Sequence, residues 1–197
     1  VNEKEQAILD AAEQTFAAQG FKEASIREIT SVAGVNSAML SYYFHSKEKL
    51  LEAVLERRIR RFAQKSSLLS LQSMSAAKKL MTVIGWHIGI ISRNTPFFRF
   101  ILREHLISSS DESARIINRY VEQKLNDIKA VLTEGVNKGE FKQMDVDLTS
   151  ISIAGAYVNC LLIPNFISGA MSGSELCKRL ATHFEDYIQT LSSENST

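Results

Sequence analysis

A chain of 197 residues, 45% of them hydrophobic, is long enough to bury a real core as one domain or two small ones. A formal net charge of +1 excludes a uniformly polybasic nucleic-acid coat, and two cysteines without CxxC spacing or a His/Cys cluster exclude a disulfide framework and a zinc site. That cysteine usage makes a reducing cytoplasm the expected compartment, and the opening VNEKEQ does not resemble a signal peptide.

The patterning predicts helices from end to end, with no convincing strand or repeat. The first covers about residues 3–19, carries Ala7, Ile8, Ala11, Ala12, Thr15 and Phe16 on one face, and stops at Gly20. Two short helices follow at about 26–33 and 37–43. Ser25 and Glu28 have the spacing of a capping box, in which serine takes an orphan amide and glutamate reaches back. Gly34 stands where the chain must turn with a positive φ, and Asn36 can cap the next helix, whose inward residues are Leu40 and Phe44. Two short helices crossing at a glycine turn are the geometry of a helix-turn-helix.

A fourth helix starts at Ser46, whose hydroxyl can cap it, and runs to about Lys65, and the serine-rich stretch 66–75 is the candidate boundary between head and body. Its basic run Arg57, Arg58, Arg60, Arg61 and Lys65 reads either as a solvated face or as phosphate contacts. Helices five to nine are expected at about 76–93, 96–108 (opening at Pro96), 110–138, 147–167 with a bend at Pro164, and 174–192, leaving ENST as a polar tail. The most apolar stretch, 151–167, is broken by Ser152, Asn159, Pro164 and Asn165. A span across a bilayer needs about 20 mostly apolar residues, so this reads as a buried helix and no membrane partner is expected.

From Glu5 to Leu51 the chain resembles the DNA-binding head of the TetR family of one-component transcriptional regulators. The matching residues are IL-DAA---F---GF at 8–21, S-REI at 25–29, AGV at 33–35 and L-SYYF-SKEKLL at 40–51. Thr30, Ala38-Met39, Ser41 and Tyr43 depart from the commonest pattern, so the operator sequence does not transfer. The resemblance implies an all-α fold, with a three-helix head over 1–46 and a six-helix body for ligand and dimer contacts over 47–197. It implies a regulator, expected to be a repressor, released from a near-palindromic double-stranded DNA operator by a small-molecule effector. Among candidate DNA-binding residues it places Ser37, Ala38, Met39 and Ser41 nearest the bases and assigns Arg27, Tyr42, Tyr43 and Lys47 mainly to phosphates, with the caps Ser25 and Asn36 completing the set. The first 50 residues are formally −2, so docking must rest on well-placed donors rather than on average charge.

By the same resemblance the last two long helices pair with their copies in a homodimer. Helix eight fits this, being apolar on more than one face through Leu148, Ile151, Ile153, Ala154, Ala156, Val158, Leu161 and Leu162, with small Ala154, Gly155 and Ala156 permitting close approach; a wholly intrachain core is the alternative reading. Candidate effector contacts are Trp86, His87, Phe97, Phe98, Phe100, Arg103, Tyr120, Tyr157 and Asn159, a mainly apolar and aromatic set with a few orienting polar groups. Each also reads as plain core, and His87 as a satisfied buried histidine. Arg103 and His105 read either as partners for an anionic group or as partners of Glu104 and Asp111 on a solvated face.

Scattered histidines, and the lack of G-x-S-x-G, P-loop and H-E-x-x-H patterns, argue against an enzyme, and neither a metal nor another cofactor is expected. A helical adaptor or ligand-binding protein without specific DNA binding is the alternative.

Overall fold

The structure is a computed structural model and describes residues 2–70, 73–107, 111–162 and 173–192. Among these residues there are nine helices: α1 (Glu3–Gln19), α2 (Ile26–Ala33), α3 (Ser37–Phe44), α4 (Lys47–Ser70), α5 (Ala76–Arg93), α6 (Thr95–Ile107), α7 (Glu112–Asn137), α8 (Val146–Leu162) and α9 (Gly173–Leu191). Among the described residues the one β-type pairing is an isolated bridge between Phe141 and Ser192. The all-α expectation holds, and α4 runs past Lys65 because no helix breaker stands in its way. The bend at Pro164, the start of the seventh helix near Ser110, the tail ENST and part of the serine-rich boundary lie outside the described residues. None of the described helices is long and apolar enough to cross a membrane.

The chain packs as two compact units, Val1–Ala63 with Pro96–Glu122, and Gln64–Thr95 with Gln123–Thr197. In the first, α1 packs on α2 and α3. Its core is built from Ile8, Ala12 and Phe16 of α1, Ile29 of α2, Leu40 of α3 and Leu50, Leu51 and Val54 of α4, all essentially inaccessible to solvent. Phe16 meets Phe21 at 5.5 Å and stacks on Phe100 of α6 at 6.1 Å. Each of these buried side chains larger than alanine contributes about 1.5–3 kcal/mol, more than an exposed ion pair at about 0–1 kcal/mol, so apolar burial dominates this unit.

In the second unit α5 packs against α8 and α9. Leu80, Val83, Ile84 and Ile88 of α5 join Ile128 and Leu132 of α7, Ile153 and Tyr157 of α8, and Leu180, Phe184 and Ile188 of α9 in its core. The buried Lys79 is neutralised by Glu134 at 2.7 Å, whose carboxylate also accepts from Lys138 at 2.6 Å and is held below the usual carboxylate range by Lys138 and Lys79. Gly135 is required by close approach: a Cβ there would stand 2.2 Å from the Phe141 ring and 2.8 Å from Ala76 Cβ.

Candidate functional site

The local code of the helix-turn-helix is largely as its residues dictate. Ser25 caps α2, its hydroxyl accepting from the Glu28 amide at 3.2 Å. The reciprocal half of the expected box is replaced, because the Glu28 carboxylate accepts from Gln19 of α1 and so ties α2 to its neighbour. Gly34 ends α2 in the left-handed region at φ 64°, ψ 33°, and its amide and that of Val35 close on carbonyls of Thr30 and Ser31. Asn36 then caps α3, with Oδ1 accepting from the Met39 amide at 2.9 Å.

This brackets α3 so that Leu40 and Phe44 point into the core while Ser37, Ala38, Ser41 and Tyr42 face solvent. Tyr42 is 76% exposed and meets the half-buried Tyr43 edge-on at 5.2 Å. Arg27 is exposed near the start of α2, and Met39 is half-buried. The exposed groups of α3 supply hydroxyls and a methyl, able to make single hydrogen bonds or contact a thymine methyl but not a bidentate base pair contact.

The Lys47 ammonium, expected to meet a phosphate, is engaged within the protein. Its ammonium donates to the carbonyls of Phe21 at 2.8 Å, Ala24 at 3.0 Å and Lys22 at 3.2 Å and lies 4.6 Å from the Phe21 ring centroid. An ammonium has three donors, and here all three close the loop between α1 and α2. Beside it Ser46 caps α4 through Lys49 as expected, its Oγ accepting from the Lys49 amide at 3.1 Å.

Nor is the whole basic run of α4 a solvated face. Arg57 is buried, donating to Asp10 at 2.6 Å, Glu13 at 3.1 Å and Gln6 at 3.2 Å, all on α1. Arg58 pairs with the same Glu13 and lies 4.3 Å and 5.2 Å from the Phe97 and Phe98 ring centroids. Only Arg60 and Arg61 of that run are exposed among its described side chains. Helical spacing alone could not find these pairs, because their acidic partners lie more than forty residues earlier.

The candidate effector residues divide between the two units. Phe97, Phe98, Phe100, Arg103 and Tyr120 belong to the first. There the three phenylalanines are buried with Phe16 and Arg58, and Arg103 lies over the backbone at Gly20 and pairs with Glu104 at 3.3 Å. His105 shares a 2.7 Å hydrogen bond with Asn118. These positions fit the reading as core and ordinary surface pairs.

Trp86, His87, Tyr157 and Asn159 belong to the second unit. The structure brings two of them into contact: His87 Nδ1 and the Tyr157 hydroxyl share a 2.9 Å hydrogen bond, both groups buried. On the other side of the ring, Nε2 is 3.7 Å from Asp127 Oδ2, which accepts from Lys124 at 3.0 Å. Burial pushes the His87 pKa below its ordinary value; the nearby Asp127 carboxylate opposes this and the Lys124 charge adds to it. Burial likewise lowers Lys124 against the pull of Asp127. Sequence reasoning missed Lys124 and Asp127, whose i,i+3 spacing reads as an ordinary surface pair. No group of three or more possible metal ligands occurs among the described residues.

The sequence model of the bacterial regulatory proteins of the tetR family matches residues 8–54, the segment that carries this helix-turn-helix. The HTH-type transcriptional regulator SrpR of Pseudomonas putida is 30% identical over 168 residues, covering 81% of this chain and 74% of its own. The fatty acid metabolism regulator protein of Bacillus subtilis (strain 168) is 28% identical over 149 residues, 75% of this chain and 76% of its own. The solved structure of the transcriptional regulator FadR from Bacillus subtilis in complex with stearoyl-CoA shares the fold, with a TM-score of 0.75 at 24% identity over 93% of this chain and 96% of that one. Matched in its head and along most of its length, the chain belongs to the TetR family and is a DNA-binding transcriptional regulator.

Proposed function

We propose that the protein is a homodimeric repressor that leaves a near-palindromic operator when the second unit takes up a small molecule with a mainly apolar body and one polar end. The observation that carries the effector reading is the row Lys124, Asp127, His87 and Tyr157, in which the buried His87 and Tyr157 are hydrogen-bonded and the half-buried Asp127 and Lys124 stand beside them. Polar groups in such a setting are expensive unless each is satisfied, and a ligand's polar end is one use for them. Trp86 and Asn159, half-buried in the same unit, are the remaining contacts of this proposal. DNA contact is assigned to Ser37, Ala38, Met39 and Ser41 for bases and to Arg27, Tyr42 and Tyr43 for phosphates, all within the head at residues 1–46, and Lys47 supports them from behind.

The dimer contact is assigned to α8 and α9. Leu148 and Ile151 of α8 are 63% and 52% exposed, and a Cβ built at Gly155, one turn further along the same face, would meet nothing within 4 Å. An apolar stripe open to solvent on a helix whose other face, Ser150, Ile153 and Tyr157, is buried suits a second copy. Two-fold symmetry then sets operator half-sites about one helical turn, or a multiple, apart. Like other repressors of its kind it would work in the cytoplasm.

The structure of the Bacillus subtilis regulator with stearoyl-CoA makes long-chain acyl-CoA the first probe. Operator affinity is measured with and without stearoyl-CoA, then with shorter acyl-CoAs and aromatic acids. Effector coupling of about 5- to 150-fold is expected, and by linkage operator must weaken ligand binding by the same factor. A ligand that saturates the second unit and leaves operator affinity unchanged ends the effector reading.

A further inference from the structure

Asn2 makes two bonds at once. As N-cap of α1 it accepts, through Oδ1, from the Lys4 amide at 3.2 Å, and its Nδ2 donates to the Tyr43 hydroxyl of α3 at 3.0 Å. The first bond fixes which end of the amide is which: a backbone N–H needs an acceptor, so the oxygen must turn inward and the NH2 group must face Tyr43. A phenol that accepts one bond still holds its own proton. The Tyr43 hydroxyl is therefore an acceptor toward the protein and a donor toward whatever approaches α3.

Phosphate oxygens only accept, so a donor pointed outward is what a phosphate contact needs. Accepting from Asn2 also polarises the hydroxyl and strengthens its own donation. The ring is held besides, packed edge-on to Tyr42 at 5.2 Å and tilted against Phe44 at 6.2 Å.

We propose that Asn2 is a positioning residue for DNA binding: acting through Tyr43, it orients the phenol so that its proton is offered to a backbone phosphate, and it ties the first turn of α1 to the recognition helix. The bond spans 41 residues of sequence. It rests on the head binding DNA and is independent of the effector.

The test is a double-mutant cycle on the full chain, using a duplex selected by the unaltered protein from a random-sequence pool. Asn2→Ser keeps a good helix cap but is too short to reach Tyr43, and Tyr43→Phe removes the hydroxyl. Each single variant is expected to weaken duplex binding by about 2- to 10-fold, the range one hydrogen bond supplies. The double variant should be no weaker than Tyr43→Phe alone. Because a phosphate carries no base information, the ratio of affinities for selected and scrambled duplex should hold, and the melting temperature of Asn2→Ser should stay within a few degrees of the parent's, the loss of one exposed hydrogen bond. Full additivity in the double variant, an unweakened Asn2→Ser, or a loss confined to the selected sequence would each overturn the proposal. Failure of the parent protein to select any duplex would instead refute DNA binding by the head.

Discussion

The three-way pairing of Glu13 with Arg57 and Arg58 makes a quantitative asymmetry. Side-chain exposure is 16% for Glu13, 9% for Arg57 and 15% for Arg58, whereas Asp10, the other carboxylate on Arg57, is 63% exposed. Glu13→Ala strips one carboxylate from two largely buried cations. Removing one member of a buried pair costs about 3–5 kcal/mol; Asp10 still holds Arg57, and Arg58 keeps the faces of Phe97 and Phe98, so a loss of about 3 kcal/mol at the low end of that range is expected. Arg57→Met strands nothing, since Glu13 keeps Arg58, Asp10 is solvated and methionine refills the space of the stem. Its cost is about 1.5 kcal/mol, the low end for hydrogen bonds to charged groups. At roughly 2–4 °C per kcal/mol for a chain of this size, the melting temperature should fall about twice as far in Glu13→Ala. Urea unfolding followed by circular dichroism reads the difference, at one fixed protomer concentration because the proposed dimerisation would shift apparent stability. The double variant should be more stable than the sum of the single losses by roughly 1 kcal/mol, beyond the 0.3–0.5 kcal/mol scatter of independent sites. Equal losses in the two single variants, or strict additivity, refute the claim that this carboxylate neutralises buried charge.

Lys47→Ala should lower stability by about 1.5–3 kcal/mol, since an ammonium bound to three carbonyls is lost, and leave the salt dependence of duplex binding intact, whereas Arg27→Ala should flatten the log–log salt slope by about one unit. A slope flattened equally in both would return Lys47 to the phosphates. Because burial holds the His87 pKa below its unfolded value near 6.5, the unfolded chain binds the proton first as pH falls, so stability present above about pH 6.5 is lost below it. Chemical denaturation at pH 8 and pH 5.5 should show a smaller drop in His87→Gln than in the parent, and identical drops would mean His87 is not the group responsible. Ile151→Arg places a cation on the exposed apolar stripe of α8 and should shift the protein toward monomer in sedimentation at micromolar concentration; an unaltered dimer would put the interface elsewhere.

What was legible in the sequence is what local chemistry decides. Caps at Ser25, Asn36 and Ser46 and the left-handed turn at Gly34 follow from side chains reaching three residues or from the cost of a Cβ at positive φ, and all four are in place. Contacts that the sequence does not reveal involve partners beyond one helical turn. Glu28 finds Gln19 rather than Ser25, Lys47 finds carbonyls more than twenty residues back, and Arg57 and Arg58 find α1. The aromatic cluster Phe97, Phe98 and Phe100 had a ligand pocket's composition, yet composition cannot say which helix a ring meets, and Phe100 meets Phe16. His87 and Tyr157 lie seventy residues apart and are hydrogen-bonded, while nothing in the i,i+3 spacing of Lys124 and Asp127 places that pair beside them.

The composition of the first compact unit bears on how such regulators can be recombined. A hybrid made by joining this head to another body after residue 46 would discard Lys47, Arg57 and Arg58, leaving carbonyls of the α1–α2 loop and carboxylates of α1 without their cations, and would expose Phe16 where Phe100 now covers it. A transplant that keeps the head's interior has to carry residues 1–63 together with 96–122, two separate stretches of chain. The seam for exchange is therefore discontinuous, and swapping DNA specificity by a single crossover cuts through packed interior.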